Sequence, residues 1–268
     1  MSYQIVVCAG IVPDPLQTLE PVSTPQGPAL KNEAMLPAVL DPWAAHALYE
    51  ANHLAKSLAG SKVFLVSLAP KAKLQQVLMT IAQKVSFELV ALDGPASGFT
   101  DSYDVAAALA AAIEAIPGLD KSRLLLFGGW ESAARAAGAT LSMVGERLGI
   151  HEQFQGVDAL TVSADGSFEI RERVEGGKHQ VSVCSGPPAV LGWATGNLPE
   201  PPNSPQVGMQ NMRTVMPALQ RAKPAAVAVQ QGFASVTLPK QQRATRIVKD
   251  LPAADVAKEI VEWIRGGK

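Results

Sequence analysis

A short apolar run that ends in two glycines constrains the fold of this chain most. Residues 124–127 are continuously hydrophobic, Gly128 and Gly129 follow, and small and apolar residues at 134–148 mark one face of a predicted helix. Such a run is typical of a strand buried on both faces of a parallel sheet, and terminal glycines let the backbone approach a ligand. The first N–H groups of the following helix would suit a phosphate. The alternative is a close-packed strand–turn–helix connection without a ligand.

Strand-like and helix-like segments alternate over the first 150 residues. Hydrophobic runs predict strands, and apolar residues spaced every three or four positions predict helices. The predicted order is strand 5–8, helix 41–60, strand 62–68, helix 70–81, strand 87–92, helix 101–116 and strand 123–127. This order indicates right-handed βαβ units. We therefore predict an α/β fold with a doubly wound, mostly parallel, Rossmann-like sheet.

A proline-rich segment and a helix-start signal separate the first predicted strand from the first predicted helix. A proline-rich excursion at 13–37 is too polar and too broken for a core element, and it is long for an idle loop. Asp41 and Pro42 directly follow it and form a helix-start signal, with a carboxylate at the N-cap and proline at the first helical position. The helix at 41–60 should therefore begin at this pair.

The pattern changes after residue 150. Strand-like segments at 157–162, 167–174 and 180–183 surround glycine turns, and 188–193 predicts one more buried strand. The proline-rich stretch 198–205 predicts an extended loop, and 208–216 a short helix at most. Apolar residues are scattered along 221–250, which suits an arm lying across another surface, and 253–265 predicts an amphipathic C-terminal helix.

Composition narrows the class of protein. The formal net charge is −1 and no basic patch occurs, which argues against nucleic-acid binding and against an anionic membrane surface. Cys8 and Cys184 both lie in apolar runs and are interpreted as buried thiols in a reducing compartment. The alanine-rich run 105–116 is too short and too charged to span a membrane. We expect a cytoplasmic protein without direct membrane insertion.

No constellation of catalytic or metal-binding residues stands out in the sequence. The four histidines, His46, His53, His151 and His179, have no metal-like spacing with each other or with the cysteines. The sequence contains no serine nucleophile elbow and no phosphate-binding loop with a Gly-Lys-Ser/Thr ending. We therefore predict no catalytic residue and no metal site.

A series of short motifs resembles the beta subunit of electron transfer flavoproteins along nearly the whole chain. Each motif is weak alone, but all occur in the family's order. They are Val12-Pro13-Asp14, Asp41-Pro42-Trp43, Val66-Ser67 with Pro70, Glu175-Gly176-Gly177, Pro188-Ala189-Val190, Glu200-Pro201 with Gly208, and Pro239 with Gln242-Arg243.

The resemblance implies an electron carrier subunit rather than an enzyme. The family's beta subunit pairs with an alpha subunit, and the pair holds one FAD, mostly through alpha. That flavin accepts electrons from a flavin-dependent dehydrogenase and passes them toward a quinone-linked acceptor. We accordingly expect a nucleotide-binding-like α/β domain at 1–220, and an arm and helix at 221–268 that pack on the partner subunit.

The family's beta subunit usually also holds a structural AMP. The resemblance, together with the ends of the predicted strands, places the nucleotide site at Cys8, Ala9, Asp41, Ser67, Gly129, Trp130, Arg135 and Thr140. Asp41 stands where the family has asparagine, and the family's acidic and amide-bearing loop is alanine-rich here. Because polar contacts to the nucleotide would be lost, we expect AMP to be absent or weakly held, with Trp130 or Arg135 occupying part of its volume.

A methionine-rich segment stands where the family's beta subunit anchors its dehydrogenase. Val207, Gly208 and Met209 are the predicted anchors, and the family's lysine-rich run after them is missing, which predicts a subunit specialised for one dehydrogenase. Alternatively, these methionines pack back onto the sheet. Two other functions stay open: a nucleotide-free structural scaffold subunit, and a free-standing adenine-nucleotide-binding α/β enzyme.

Overall fold

The computed structural model describes residues 2–95, 98–134, 138–225, 227, 232–238, 245 and 247–266. Its strands are β1 (Gln4–Cys8), β2 (Ile11–Pro13), β3 (Pro21–Thr24), β4 (Gly27–Leu30), β5 (Ala38–Leu40), β6 (Lys62–Ala69), β7 (Glu88–Asp93), β8 (Leu124–Gly129), β9 (Gln153–Val162), β10 (Phe168–Val174), β11 (Lys178–Cys184), β12 (Ala189–Trp193) and β13 (Lys223–Pro224). Its helices are α1 (Pro42–Ser57), α2 (Lys71–Ile81), α3 (Ser102–Glu114), α4 (Ala139–Arg147), α5 (Pro205–Gln220) and α6 (Ala253–Arg265).

A mostly parallel sheet forms the centre of the fold. Within the described residues it has nine strands in the order β11-β10-β9-β12-β8-β1-β6-β7-β13. β12, β8, β1, β6, β7 and β13 run parallel, and β9 is parallel to β12, whereas β10 and β11 continue the sheet as antiparallel strands. The predicted α/β fold with a doubly wound, mostly parallel sheet is confirmed.

Alternation of side chains along the strands divides the core into two layers. Ile5 and Val7 of β1 face one layer, where α1, α2 and α5 contribute apolar residues such as Leu48. Val6 and Cys8 face the other, where α3 and α4 pack. Because successive strand residues point to opposite faces, a strand buried on both faces must be apolar throughout. β8 shows this directly, since all four residues at 124–127 are fully buried.

The helix starts agree with their sequence signals. The Asp41 carboxylate accepts a hydrogen bond from the Trp43 backbone N–H at 3.3 Å, and Pro42 occupies the first helical position of α1. Asp101 caps α3 in the same way, accepting from the Tyr103 N–H at 2.8 Å. A side-chain acceptor satisfies a backbone N–H that has no partner inside the helix. The predicted start of α1 at Asp41 is confirmed.

Three predicted segments differ in the structure. The excursion at 13–37 contains the β3–β4 hairpin, and its flanks pair as the β2–β5 ribbon, so regular pairing persists despite the prolines. α4 begins only at Ala139, because Gly138 before it adopts a left-handed backbone with φ 62°. The predicted short helix at 208–216 is instead the sixteen-residue α5, capped by the Ser204 hydroxyl.

The chain divides into two compact units, Met1–Val236 and Thr237–Lys268. The first unit holds the sheet and α1–α5. Its residues Lys223 and Pro224 pair with the end of β7, so the predicted arm begins as a sheet strand. The second unit holds α6, whose predicted bounds are confirmed. The division of function at residue 220 stays a prediction. Within the described residues, no helix has both the length and the apolarity needed to cross a bilayer.

Candidate functional site

A small cleft lies at the carboxyl ends of the central strands, where open α/β sheets bind ligands. Cys8 at the end of β1 and Gly129 at the end of β8 form its floor, and the N-termini of α1 and α4 form its walls with Asp41 and Thr140. The cavity measures ≈ 80 Å³. Pockets for small-molecule ligands usually measure about 300–1,000 Å³. The cleft stands at the expected place, but it is narrow.

Five of the eight residues predicted for the nucleotide site line this cleft: Cys8, Ala9, Asp41, Gly129 and Thr140. Ser67 does not line it. It is fully buried, and its hydroxyl donates to the Ala9 carbonyl oxygen at 2.8 Å, which ties β6 to the end of β1. Arg135 lies outside the described residues. The strand ends therefore bring together most, but not all, of the predicted set.

Trp130 faces another part of the molecule. Its ring packs against Gly156, since a Cβ added to that glycine would lie 3.2 Å from the ring. Its backbone N–H donates to the Trp193 carbonyl oxygen at 3.0 Å, which extends the pairing of β8 with β12. The indole is absent from the cleft lining. Trp130 therefore lies toward β9 and does not fill the cleft, and the other residue predicted to do so, Arg135, lies outside the described residues.

The glycine pair of β8 is required by packing inside the chain. A Cβ at Gly128 would lie 2.9 Å from a Leu141 methyl and 3.2 Å from the Cys8 carbonyl oxygen. At Gly129 a Cβ would lie 2.6 Å from the Trp43 Cβ and 2.7 Å from the Glu131 carbonyl oxygen. These distances are too short for a methyl group. The close approach that the glycines permit is therefore made by α1 and α4.

The Asp41 carboxylate joins the start of α1 to the residues after β8. Besides capping Trp43, it accepts from the Ser132 hydroxyl at 2.7 Å and from the Ala133 N–H at 3.1 Å. Only 3% of Asp41 is exposed. Hydrogen bonds to a buried carboxylate are charge-assisted and stronger than those between neutral groups. Asp41 thus holds residues 132 and 133 against the N-terminus of α1.

Sequence analysis missed several residues that build the cleft. They are Gly10, Gly98, Glu131, Ser132, Ala134 and Gly138. Ser132 bonds to a residue 91 positions away. Its one visible signal was a hydroxyl close behind a strand end, which is too common to identify a contact. Gly138 had a clearer signal, because glycine is the usual residue at a left-handed position that a chain reversal requires.

Burial makes Cys8 a poor nucleophile. It raises the pKa of the thiol from its usual 9.0 to about 12. Because this pKa lies above that of the unfolded chain, its contribution to stability is present below pH 9 and is lost as the pH rises toward 12. We expect iodoacetamide at pH 8 to label Cys8 at least about 100-fold more slowly than an exposed thiol. Labelling in urea, where Cys8 and Cys184 both react, is the control, and rapid native labelling would contradict the prediction.

A second polar cluster lies on the antiparallel part of the sheet. Asp158 accepts from Arg173 Nε at 3.0 Å and Nη2 at 2.8 Å, and His179 Nε2 lies 2.9 Å from its Oδ2. Burial acts to raise the pKa of Asp158, but the hydrogen bonds from Arg173 and His179 outweigh burial and hold it below its usual value. Arg173 also donates to Thr195 at 2.6 Å. The cluster fixes β9, β10, β11 and the segment after β12 together.

The described residues contain no group of three or more His, Cys, Asp or Glu side chains that could hold a metal ion.

A family model, the electron transfer flavoprotein domain, matches residues 32–231. The chain belongs to the electron transfer flavoprotein family. The match covers 200 of the 268 residues, and it includes α1–α5 and every described strand of the central sheet except β1. No individual curated protein matches the chain.

Membership of the electron transfer flavoprotein family indicates the general class of function. Its proteins are electron carriers rather than catalysts, they are associated with flavin, and they act with other subunits of the family and with dehydrogenases. The cleft agrees with this class in one respect. Its most nucleophilic residue, Cys8, is held protonated by burial.

Proposed function

We propose that this chain is the beta-type subunit of an electron transfer flavoprotein and that it acts in the cytoplasm. It pairs with an alpha subunit that holds most of one FAD, receives electrons from a flavin-dependent dehydrogenase, and passes them toward a quinone-linked acceptor. The motif order described above supports a beta rather than an alpha subunit. The observation that carries the proposal is the set of large apolar residues exposed on α6.

Besides the half-buried Val256, the apolar face of α6 carries four exposed residues, Ile260, Val261, Trp263 and Ile264. Between 43% and 69% of each of these four residues is exposed. The polar residues Lys258 and Glu262 lie on the opposite side of the helix, 4.0 Å apart. A thirteen-residue helix is marginal in water unless an apolar face is packed against something. We propose that the alpha subunit covers this face.

FAD binding by the partner fits the sequence of this chain. No Gly-x-Gly-x-x-Gly fingerprint occurs in it. The described cleft is small, and the glycines that line it are packed against the chain itself. A division of labour in which alpha holds the flavin and this chain supports it is consistent with both features.

The N-terminal half of α5 is the proposed docking surface for the dehydrogenase. Val207, Gly208 and Met209 lie in the first turns of this helix rather than in a loop. Met209 and Met212 are 66% and 50% exposed, whereas Val215 and Leu219 further along are buried against the core. The alternative holds for Met216, which packs against the core, whereas Met209 and Met212 point to solvent. Flexible methionines at an exposed helix start suit an apolar groove on a partner.

The proposal predicts that flavin belongs to the complex and not to this chain alone. We expect the chain purified alone to be colourless, and its co-expressed complex with an alpha subunit to carry one FAD that a partner dehydrogenase reduces. Size-exclusion chromatography with flavin absorbance checks both halves. An alpha subunit expressed alone is the control for flavin retention. Stoichiometric FAD on the isolated chain, or a stable monomer that ignores alpha, would refute the proposal.

In one alternative, this chain still pairs with an alpha subunit, but the complex carries no electrons. The self-packed glycines and the small cleft equally suit a scaffold subunit that supports alpha but binds no nucleotide. The same purification separates the two, because a scaffold would give a colourless complex. The third hypothesis, a free-standing adenine-nucleotide enzyme, requires a pocket that holds the nucleotide, and the described cleft is too small for one.

A further inference from the structure

The AMP that the family resemblance implies does not fit the cleft of this chain. The cavity of ≈ 80 Å³ is well under the roughly 300 Å³ at which ligand pockets begin. The two rims of the cleft also touch. A Cβ at Gly98 would lie 3.1 Å from the carbonyl oxygen and 3.2 Å from the Cβ of Ala134. The residues after β8 therefore cross to the loop between β7 and α3 and close the space between them.

The closure is anchored on Asp41. Its Oδ2 accepts from the Ser132 hydroxyl and from the Ala133 N–H, and the Ser132 oxygen in turn accepts from the Ala134 N–H at 3.2 Å. Three consecutive residues are thus bound to one buried carboxylate, directly or through one hydroxyl. We call residues 131–134 the closing segment.

The other end of this turn is closed by backbone packing. The carbonyl oxygen of Trp130 sits where a side chain of Gly138 would begin, at 1.8 Å from a Cβ built on that glycine. Gly138 adopts φ 62°, and α4 begins directly after it. Trp130 and Gly138, which lie on either side of residues 131–137, are therefore in direct backbone contact just before the N-terminus of α4. This geometry fixes the closing segment from its far side.

The negative charge of Asp41 would repel a phosphate group in the cleft. A phosphate in the cleft would face the Asp41 carboxylate, and two negative charges at short range in a buried site repel strongly. The remaining lining is mostly aliphatic, with Ala9, Ala44, Leu68, Val105, Leu109 and Leu141 among its residues. Ribose hydroxyls and adenine nitrogens buried against methyl groups would lose their hydrogen bonds to water without replacement.

We infer that the closing segment takes the structural place of the AMP, so that this subunit is stabilised by its own chain and binds no adenine nucleotide in the cleft. The hydrogen bonds to Asp41 supply the connection between α1 and the end of β8 that a bound nucleotide would otherwise make. This inference concerns the cleft alone, and it is independent of whether the assembly carries FAD.

A nucleotide count tests the first part. The protein is denatured as purified, alone and with its alpha partner, and the supernatant is assayed for AMP under conditions that leave FAD intact. We expect no AMP in either sample, and no change in melting temperature when AMP is added to the native protein. One AMP per chain, or a saturable stabilisation by AMP, would overturn the inference. Failure of the proposed function would appear separately, as missing flavin.

Amide hydrogen exchange tests the anchor. Ser132→Ala removes the hydroxyl that links Asp41 to the Ala134 N–H but leaves the helix cap intact. We expect exchange at Ala134 to accelerate about tenfold or more. Asp41→Asn replaces one of the two carboxylate oxygens, which together accept three hydrogen bonds, with an NH₂ group that cannot accept. Exchange at Ala133 or Trp43, whichever loses its acceptor, should therefore accelerate similarly.

The matched control is Asp101→Asn, which changes the N-cap of α3 in the same way. Its carboxylate accepts from the Tyr103 N–H and so caps a different helix from the one that Asp41 caps. It should leave exchange at Ala133 and Ala134 unchanged. If these two amides exchange in the native protein at the rate of an unfolded peptide, the closing segment is not held and the inference fails.

Discussion

Replacing Trp263 with serine is expected to weaken binding of the alpha partner by about 30- to 1,000-fold. Trp263 is a large residue on the apolar face of α6, and 69% of it is exposed in the isolated chain. Tryptophans buried at the centre of interfaces commonly contribute about 2–4 kcal/mol when truncated. Because each step of about 1.4 kcal/mol corresponds to a factor of ten, this range gives the stated loss. Titration of the labelled chain with alpha measures it.

The control for this experiment lies on the opposite side of the same helix. Lys258→Ser introduces the same residue type, and with it a similar loss of helix propensity, but changes only an exposed residue with a 4.0 Å ion pair to Glu262. Its affinity should stay within about threefold, because exposed i,i+4 pairs are worth only about 0.3–0.5 kcal/mol. Equal affinity of both variants would show that α6 does not contact the partner.

The interior of the fold was predictable because its signals are local. The buried run of β8 and the Asp41-Pro42 start of α1 each lie within a few consecutive residues, and the structure confirms both. The β9–β10 hairpin likewise follows from alternation around the turn at Gly166, which adopts φ 90°. Period, caps and turns are properties of short segments, so one sequence is enough to show them.

The length of α5 was not predictable, because tertiary contacts stabilise it. Gly208 and Pro217 lie inside the helix and both lower its intrinsic propensity. The structure offsets this with Asn211, whose buried side-chain amide donates to the carbonyl oxygens of Ala82 and Val85 at 2.6 and 2.7 Å. These partners lie 129 and 126 positions away in the chain. No local pattern records such a contact.

In the candidate site, too, the features with local sequence signals were predictable and those set by distant contacts were not. Cys8 and Gly129 both line the cleft, since the topology of parallel strands places their carboxyl ends at one edge, and their role in binding stays a prediction. The orientation of Trp130 and the bond between Asp41 and Ser132 depend on how the turn after β8 folds back. From the sequence, Asp41 was expected to be a charge near a ligand. The structure shows that the same carboxylate binds the chain itself.

Replacing Gly138 with alanine is expected to lower the free energy of unfolding by about 2–5 kcal/mol. An alanine with positive φ costs roughly 1–2 kcal/mol. The added methyl would also overlap the Trp130 carbonyl oxygen, 1.8 Å from the Cβ position. Forcing such an overlap costs about 1–3 kcal/mol more. Relief requires the turn to open, which would pull the closing segment away from Asp41. Urea unfolding measures the loss, and amide exchange at Ala133 reports the opening.

Gly149→Ala separates the two contributions. Gly149 has a similar φ of 73°, but a Cβ there would meet nothing within 4 Å. Its substitution should therefore cost only the backbone strain, about 1–2 kcal/mol, and leave exchange at Ala133 unchanged. A larger loss for Gly138→Ala, accompanied by faster exchange at Ala133, would tie the tight return of this turn to the closed cleft. Equal losses at the two glycines would mean that the turn relaxes freely, and that backbone packing at Gly138 does not hold the closing segment in place.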